Sequence, residues 1–217
     1  MQDSKLSERW VAEVEDIVAI SRSMGRKLMI GGFSTGGTLA ANYALRNSDA
    51  VDGLILLSGA FVLSDNAEQM TRIWGMQTIA KWLDGDYQVS NSNPYKYPNV
   101  ALYSVFELME VIRQVRSLVA TQPVTVPTFA AHSLSDVTTP YAGVESLLAG
   151  SNASHSLFLI DESYELCHGD LPLTKQQVAE IDFQSPLDEL IELCTVPEAN
   201  PLHTRMMAML KAFIDQQ

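Results

Sequence analysis

The sequence predicts an α/β fold in which a mostly parallel β-sheet is flanked by helices. Four short apolar runs lack the period-two alternation of half-exposed strands, and helical patterns lie between and after them. Continuous apolar runs suit strands covered on both faces, and alternation with helices favours parallel pairing. With 217 residues, 47% of them hydrophobic, the chain suits one globular domain over residues 1–217.

The amino-terminal part predicts a helix, a strand and a second helix. The first helix ends near Gly25, since apolar residues recur before it at helical spacing. A short apolar run over 28–33, bounded by Lys27 and containing a pair of glycines, predicts a buried strand. After Ser34, a run rich in small residues and leucine over 35–45 predicts a helix packed closely against the sheet. The strand therefore turns sharply into a helix at Ser34.

The other three predicted strands lie further along the chain. Apolar runs over 53–59, 127–132 and 156–160 are short enough for strands. Helical patterns over 141–148 and 206–214 complete the alternation.

Residues 64–122 carry no clear strand and predict a mainly helical insertion that caps a site. The polar run over 90–94 within it predicts a surface loop. Two roles for the insertion's aromatic residues stay open, a small core of its own or the lining of a substrate pocket. These aromatic residues are Trp74, Trp82, Tyr87, Tyr95, Tyr97, Tyr103 and Phe106.

The charge balance argues against several classes of partner. The formal net charge is −12, from 26 acidic and 14 basic residues, and this charge argues against nucleic acid and anionic lipid surfaces as partners. No run approaches the 18 or so apolar residues of a membrane span, and the first residues do not resemble a signal peptide. The sequence therefore does not assign a compartment, and the cytoplasm is the default expectation.

The cysteines and histidines do not predict a metal site. Cys167 and Cys194 are too few for a disulfide framework and lack zinc-site spacing, and whether they form a bridge stays open. No two of the four histidines have the short spacing of a helical or hairpin metal site. We expect no metal.

The segment Gly32–Gly36 matches the pattern G-x-S-x-G at the predicted strand-to-helix turn. A serine at such a turn projects its hydroxyl above the sheet, and glycines two positions on either side let strand and helix approach closely. We therefore predict Ser34 as a nucleophile. The alternative is a structural glycine-rich turn.

A serine nucleophile needs a base and a carboxylate that orients the base. With this serine turn, the acid and then the histidine follow along the chain. Asp136 lies in the loop after the third strand, at the sheet edge where sites form, and is the predicted acid. Its alternative role is a turn or helix-capping residue. Asp161 is an alternative acid, but it lies too near His168 in sequence to take the place of Asp136.

His168 is the predicted base because it lies in the loop after the fourth strand. His132 precedes the acid, and His155 opens the fourth strand at the opposite end of the sheet. His203 lies on the approach to the final helix and is the reserve candidate.

Four segments together resemble the bacterial α/β-hydrolases of the carboxylesterase and lysophospholipase-like group. They are the turn Gly31–Gly37, the strand end Leu57–Ala60, the loop Ser135–Asp136 and the loop Cys167–Gly169. The resemblance implies a serine esterase that forms an acyl-enzyme on Ser34, without a cofactor and with an insertion over the pocket. The family spans lipid, aryl and small-ester substrates.

The chain departs from that family before its first helix, where the usual strands and a His-Gly loop have no counterpart. The backbone N–H of Thr35 is then the predicted oxyanion donor, and its partner donor is missing. The strand over 28–33 becomes an exposed apolar edge that invites self-association. We interpret the chain as the carboxyl-terminal portion of a longer enzyme; a chain that completes its sheet by association and a degenerate member are the alternatives.

The sequence thus predicts hydrolysis of a neutral carboxylic ester, a small-molecule substrate, through Ser34, with His168 as base and then acid and Asp136 orienting it. A thioesterase or acyltransferase using the same three residues is one alternative. A non-catalytic hydrolase-like binding module that lacks the second oxyanion donor is another.

Overall fold

A computed structural model describes residues 6–83, 101–183, 194 and 196–217. Four strands form one sheet in the order β1-β2-β3-β4, and every pairing among them is parallel. The register places Ile30 beside Leu54, Ile55 beside Phe129, and Ala131 beside Phe158. The strands are β1 (Met29–Phe33), β2 (Gly53–Leu57), β3 (Thr128–Ser133) and β4 (His155–Ile160). The predicted fold class is confirmed.

Eight α-helices accompany the sheet in the described residues. Those flanking the first strands are α1 (Leu6–Ser21) and α2 (Thr35–Arg46). Three follow β2: α3 (Asp65–Met70), α4 (Met76–Leu83) and α5 (Leu102–Thr121). The remainder are α6 (Ala142–Ala149), α7 (Lys175–Ile181) and α8 (His203–Gln216).

Apolar side chains cover the sheet on both faces, which explains why its strands read as continuous apolar runs. On one face, α1, α2, α5 and α6 contribute to a cluster that contains the fully buried Leu54 and Leu56 of β2. On the other face, α8 packs Met206, Leu210 and Phe213 against β3 and β4. The two clusters fix the sheet between helical layers, so its carboxyl edge is a rigid platform.

The strand β1 lies at one edge of this sheet. It pairs with β2, and within the described ranges no strand pairs with its other side. Among the same residues, no helix combines the length and the apolar character needed to cross a membrane.

The predicted insertion over 64–122 contains α3, α4 and α5, and its status as a separate cap stays a prediction. The long helix α5 packs against α1 and α2 and so takes part in the layer that flanks the sheet. Tyr103 and Phe106 are buried, which agrees with a core role for these two, whereas Trp74 is 98% exposed. The predicted loop over 90–94 lies outside the described residues, as do Tyr87, Tyr95 and Tyr97 and the side chain of Trp82.

A partly buried ion pair joins α3 and α5. Arg116 Nη2 donates to Glu68 Oε1 at 2.6 Å, and Arg116 Nε donates to the carbonyl of Phe61 at 2.9 Å. Leu63 N–H also donates to Glu68 Oε1, at 3.2 Å. Burial alone raises the pKa of Glu68, but these hydrogen bonds and the neighbouring guanidinium charges bring the pKa below its ordinary value.

Candidate active site

Ser34 occupies the turn between β1 and α2 in a strained backbone conformation, with φ 53° and ψ −119°. Non-glycine residues rarely adopt positive φ, and such strain persists only where the surroundings hold it. Here Ser34 N–H donates to the Leu57 carbonyl at 2.9 Å. The Ser34 carbonyl accepts from Thr38 N–H at 3.2 Å and from Ala60 N–H at 3.3 Å. Hydrogen bonds to α2, to the end of β2 and to the loop after β2 therefore hold the serine at the carboxyl edge of the sheet.

The two glycines of the G-x-S-x-G pattern differ in what they do. A Cβ on Gly32 would lie 2.8 Å from both Cα and O of Gly36, so β1 and α2 can approach only because Gly32 has no side chain. A Cβ on Gly36 would meet no atom within 4 Å. The expectation that both glycines are needed for close approach is thus wrong for Gly36, because its Cα–Cβ direction points away from the strand.

The structure brings the three predicted site residues into one chain of hydrogen bonds. Ser34 Oγ lies 2.9 Å from Nε2 of His168, and Nδ1 of His168 lies 2.6 Å from Oδ2 of Asp136. A proton on Nδ1 matches its carboxylate partner and leaves Nε2 free to accept from the serine hydroxyl. This arrangement can remove a proton from Ser34 and stabilise the resulting imidazolium.

Asp136 is positioned by its own turn. It is 3% exposed, and its Oδ1 accepts from the N–H groups of Thr138 and Thr139 at 3.0 and 2.9 Å. The turn role that the sequence left as an alternative is therefore present together with the contact to His168. Burial raises the pKa of Asp136, but the hydrogen bond and charge of His168, followed by the Thr139 N–H, bring it below the ordinary value. The carboxylate is ionised at neutral pH.

His168 begins a short 3₁₀ turn after β4, and several contacts fix this turn. Its ring lies 4.8 Å from the ring of Phe33, the last residue of β1. The residue before it, Cys167, forms a disulfide with Cys194. Asp170 Oδ1 accepts from Glu198 N–H at 3.2 Å, so a second link joins the turn to the segment that carries the disulfide.

The other candidates lie outside the chain of hydrogen bonds from Ser34 to Asp136. His155 is the first residue of β4, at the amino end of the sheet, and His203 is the first residue of α8. Asp161 accepts from Ser163 N–H at 3.0 Å in the turn after β4. His132 is fully buried in β3, with Nε2 3.7 Å from Asp136 Oδ2.

Sequence reasoning missed two features of the site. It left the bridge between Cys167 and Cys194 open, and it assigned no role to Thr139, whose hydroxyl lies 3.0 Å from Asp136 Oδ2. The position of Thr139 three residues after the acid is the only local signal for that contact. Nothing in the spacing of the cysteines points to the bridge.

Thr35 opens α2 directly behind Ser34. The first N–H groups of a helix have no acceptor within it, so they are available to a negative charge that develops beside the serine. In the described part of the chain, no cluster of histidine, cysteine and carboxylate side chains is suited to hold a metal ion.

Comparisons with known proteins identify the fold. Among solved structures, a monoacylglycerol lipase from Paleococcus ferrophilus superposes with a TM-score of 0.63 at 14% identity, over 97% of this chain and 76% of the lipase. A structure from work on LipS and LipT, two metagenome-derived lipolytic enzymes, gives 0.57 at 17% identity, over 81% and 73% of the two chains. A soluble variant of monoglyceride lipase from Saccharomyces cerevisiae gives 0.51 at 15% identity, over 74% and 61%. At these identities the likeness shows the fold, which is that of the α/β-hydrolases.

No curated protein sequence matches the chain. The family model described as serine aminopeptidase, S33, matches residues 7–170, a span that runs from α1 to the turn of His168 and contains Ser34 and Asp136. Since this match covers well over half of the residues, the chain belongs to the serine aminopeptidase S33 family of α/β-hydrolases.

Proposed function

We propose that the protein is a serine hydrolase that cleaves a neutral carboxylic ester through an acyl-enzyme on Ser34. The observation that carries this proposal is the unbroken chain of contacts from Ser34 Oγ through the His168 ring to the Asp136 carboxylate, at 2.9 and 2.6 Å. A hydroxyl becomes a competent nucleophile when a base in hydrogen-bond contact takes its proton. The strained turn aims the serine at that base.

The reaction follows from these contacts. His168 Nε2 takes the hydroxyl proton as Ser34 Oγ attacks the ester carbonyl carbon, and the carbonyl oxygen becomes an oxyanion that accepts from the Thr35 N–H. The imidazolium then gives the proton to the departing alkoxide, which leaves as the alcohol. Water repeats the sequence on the acyl-enzyme, with His168 as base and then acid, and releases the carboxylic acid.

Asp136 has an orienting role in this scheme. Its ionised carboxylate holds the Nδ1 proton of His168, so Nε2 is always the atom that faces the serine. The same charge stabilises the imidazolium during both half-reactions. Because Asp136 is buried and bonded to its own turn, it does not need to move.

Apolar groups around the contact chain favour an uncharged acyl or aryl substituent. The Phe33 ring lies against His168, and Leu134 and Val137, on the loop that carries Asp136, are 42% and 68% exposed. Exposed apolar side chains beside a polar site provide surface for an apolar substrate. The lipolytic names of the solved relatives agree with this preference.

Labelling with a fluorescent fluorophosphonate tests the proposal directly. We expect labelling of the parent chain and of His203→Ala, and none of Ser34→Ala or His168→Ala. Ser146→Ala is the matched serine control, since this hydroxyl lies on the surface of α6 and donates to its own helix. Turnover of p-nitrophenyl butyrate should fall about 10⁴-fold or more in Ser34→Ala.

The same measurements separate the alternatives. Retained labelling of Ser34→Ala refutes the proposal, and an unlabelled parent chain favours a binding module. An aminoacyl p-nitroanilide cleaved faster than the ester indicates a peptidase. Faster cleavage of a thioester, or transfer of the butyryl group to added alcohol, indicates a thioesterase or an acyltransferase.

A further inference from the structure

The side chain of Thr139 contacts both the acid and the base of the proposed site. Its Oγ1 lies 3.0 Å from Asp136 Oδ2, 3.1 Å from His168 Nδ1 and 3.4 Å from the carbonyl of Ser58. The residue is 1% exposed, so bulk solvent does not reach the hydroxyl. We propose that Thr139 is a positioning residue, whose hydroxyl fixes the carboxylate oxygen that orients His168. This inference rests on the function proposed above.

Proton accounting assigns the direction of each bond. Nδ1 of His168 carries the proton that it shares with Asp136 Oδ2 at 2.6 Å, so it cannot accept from a hydroxyl. The single proton of Thr139 Oγ1 then goes to Asp136 Oδ2, which is nearer than the Ser58 carbonyl. Oδ2 therefore accepts two hydrogen bonds, one from His168 and one from Thr139.

With these two bonds the Asp136 carboxylate is saturated. Oδ1 already accepts from the N–H groups of Thr138 and Thr139. Two oxygens offer about four acceptor positions, and all four are used. Without the Thr139 hydroxyl, His168 would be the sole hydrogen-bond donor to Oδ2, and the oxygen could follow the imidazole instead of holding it.

A buried histidine of β3 holds the backbone of Thr139 in place. His132 Nε2 lies 2.8 Å from the Thr139 carbonyl and donates to it, and the His132 ring is fully buried in β3. Burial lowers the pKa of His132, although Asp136 opposes the change, so the ring is neutral and carries one proton. The strand β3 thus supports the threonine that supports the acid.

Three variants separate a positioning role from simple packing. Thr139→Val keeps the shape of the side chain and removes the hydroxyl, whereas Thr139→Ser keeps the hydroxyl. Thr128→Val is the matched control, because Thr128 is also fully buried and its hydroxyl donates to the Val126 carbonyl at 2.9 Å. Thr128 begins β3 at the end opposite the site.

The experiment compares the intact variants by p-nitrophenyl butyrate kinetics and by melting temperature. We expect kcat of Thr139→Val to fall about tenfold with KM nearly unchanged, less than the hundredfold that a 1 Å misplacement can cost. The kcat of Thr139→Ser should stay within about threefold of that of the parent chain, and Thr128→Val should keep the parent kcat and KM.

The proton resonance of His168 Nδ1 provides a readout that does not depend on turnover. We expect it to shift in Thr139→Val and to stay in place in Thr128→Val. An unmoved resonance in Thr139→Val, a parent-like kcat in that variant, or failure of Thr139→Ser to restore activity overturns the proposal. A parent chain that neither hydrolyses the ester nor reacts with the fluorophosphonate refutes the proposed function instead, and the resonance still decides the role of Thr139.

Discussion

Alanine at Gly32 tests the close approach between β1 and α2 on which the Ser34 turn depends. The added Cβ would lie 2.8 Å from Cα and O of Gly36, where ordinary contact begins at 3.4 Å. The two backbones must then separate by at least 0.6 Å, the difference between those distances. Backbone atoms cannot rotate aside as the end of a long side chain can, so the strain is not relieved locally.

We expect Gly32→Ala to lower the free energy of unfolding by about 3 kcal/mol, the upper end of the range seen for overpacked sites. For a chain of this size, such a loss lowers the melting temperature by roughly 6–12 °C. Because the displaced segment carries Ser34, the distance from its Oγ to His168 changes as well. A shift of about half an ångström should reduce turnover by about tenfold or more.

Gly36→Ala is the matched control within the same pattern. No atom lies within 4 Å of the added Cβ, and the residue belongs to α2, where alanine is favoured over glycine by about 1 kcal/mol. We expect its melting temperature to equal or exceed that of the parent chain. Its reactivity should be unchanged.

Thermal melts followed by circular dichroism, together with the rate of fluorophosphonate labelling, measure both effects. Gly32→Ala with parent-like stability and labelling would refute the argument that the strand and helix touch at this glycine. Equal losses of melting temperature and labelling rate in Gly32→Ala and Gly36→Ala would refute the claim that only Gly32 is needed for the close approach.

Three further predictions concern stability. Replacing both Cys167 and Cys194 by alanine should lower the free energy of unfolding by about 3.5 kcal/mol, since the bridge joins residues 27 positions apart. An unchanged melting temperature under oxidising conditions would contradict this. Glu68→Gln should lower the free energy of unfolding by about 1–3 kcal/mol, because Glu68 is largely buried and the partly exposed Arg116 loses its carboxylate partner. Glu110→Gln, in an exposed pair, should change it by almost nothing, and similar melts for both variants would refute the distinction. Burial holds the pKa of His132 below its ordinary value of about 6.5, so below that pH the unfolded chain takes up a proton that the folded chain does not, and the free energy of unfolding should decline as the pH falls. In His132→Gln, free energies of unfolding from urea titrations should depend less on pH below about 6.5, and the same pH dependence as in the parent chain would contradict this.

The strands are predictable from sequence because their signals are local. A continuous apolar run with both faces covered marks each strand, and the observed bounds agree with the predicted ones to within one or two residues. Ser34 is predictable for the same reason, since its pattern and its strand-to-helix context lie within a dozen residues.

Asp136 and His168 are predictable with one further rule. Parallel strands end at the same edge of a sheet, so loops that follow β3 and β4 must lie near the loop that follows β1. The rule brings the loops together without giving distances. Their contact at 2.6 Å depends on how the turns after the two strands fold.

The sequence by itself determined where the four strands lie along the chain, the turn that carries Ser34 and the loops that carry Asp136 and His168, because each follows from a short segment of chain. The tertiary structure decided which of two equivalent-looking glycines is required, that Cys167 meets Cys194, and that the Thr139 hydroxyl lies between Asp136 and His168. These contacts join residues that are distant in sequence or depend on the direction of a single bond. Packing fixes such details, and a pattern of residue types does not contain them.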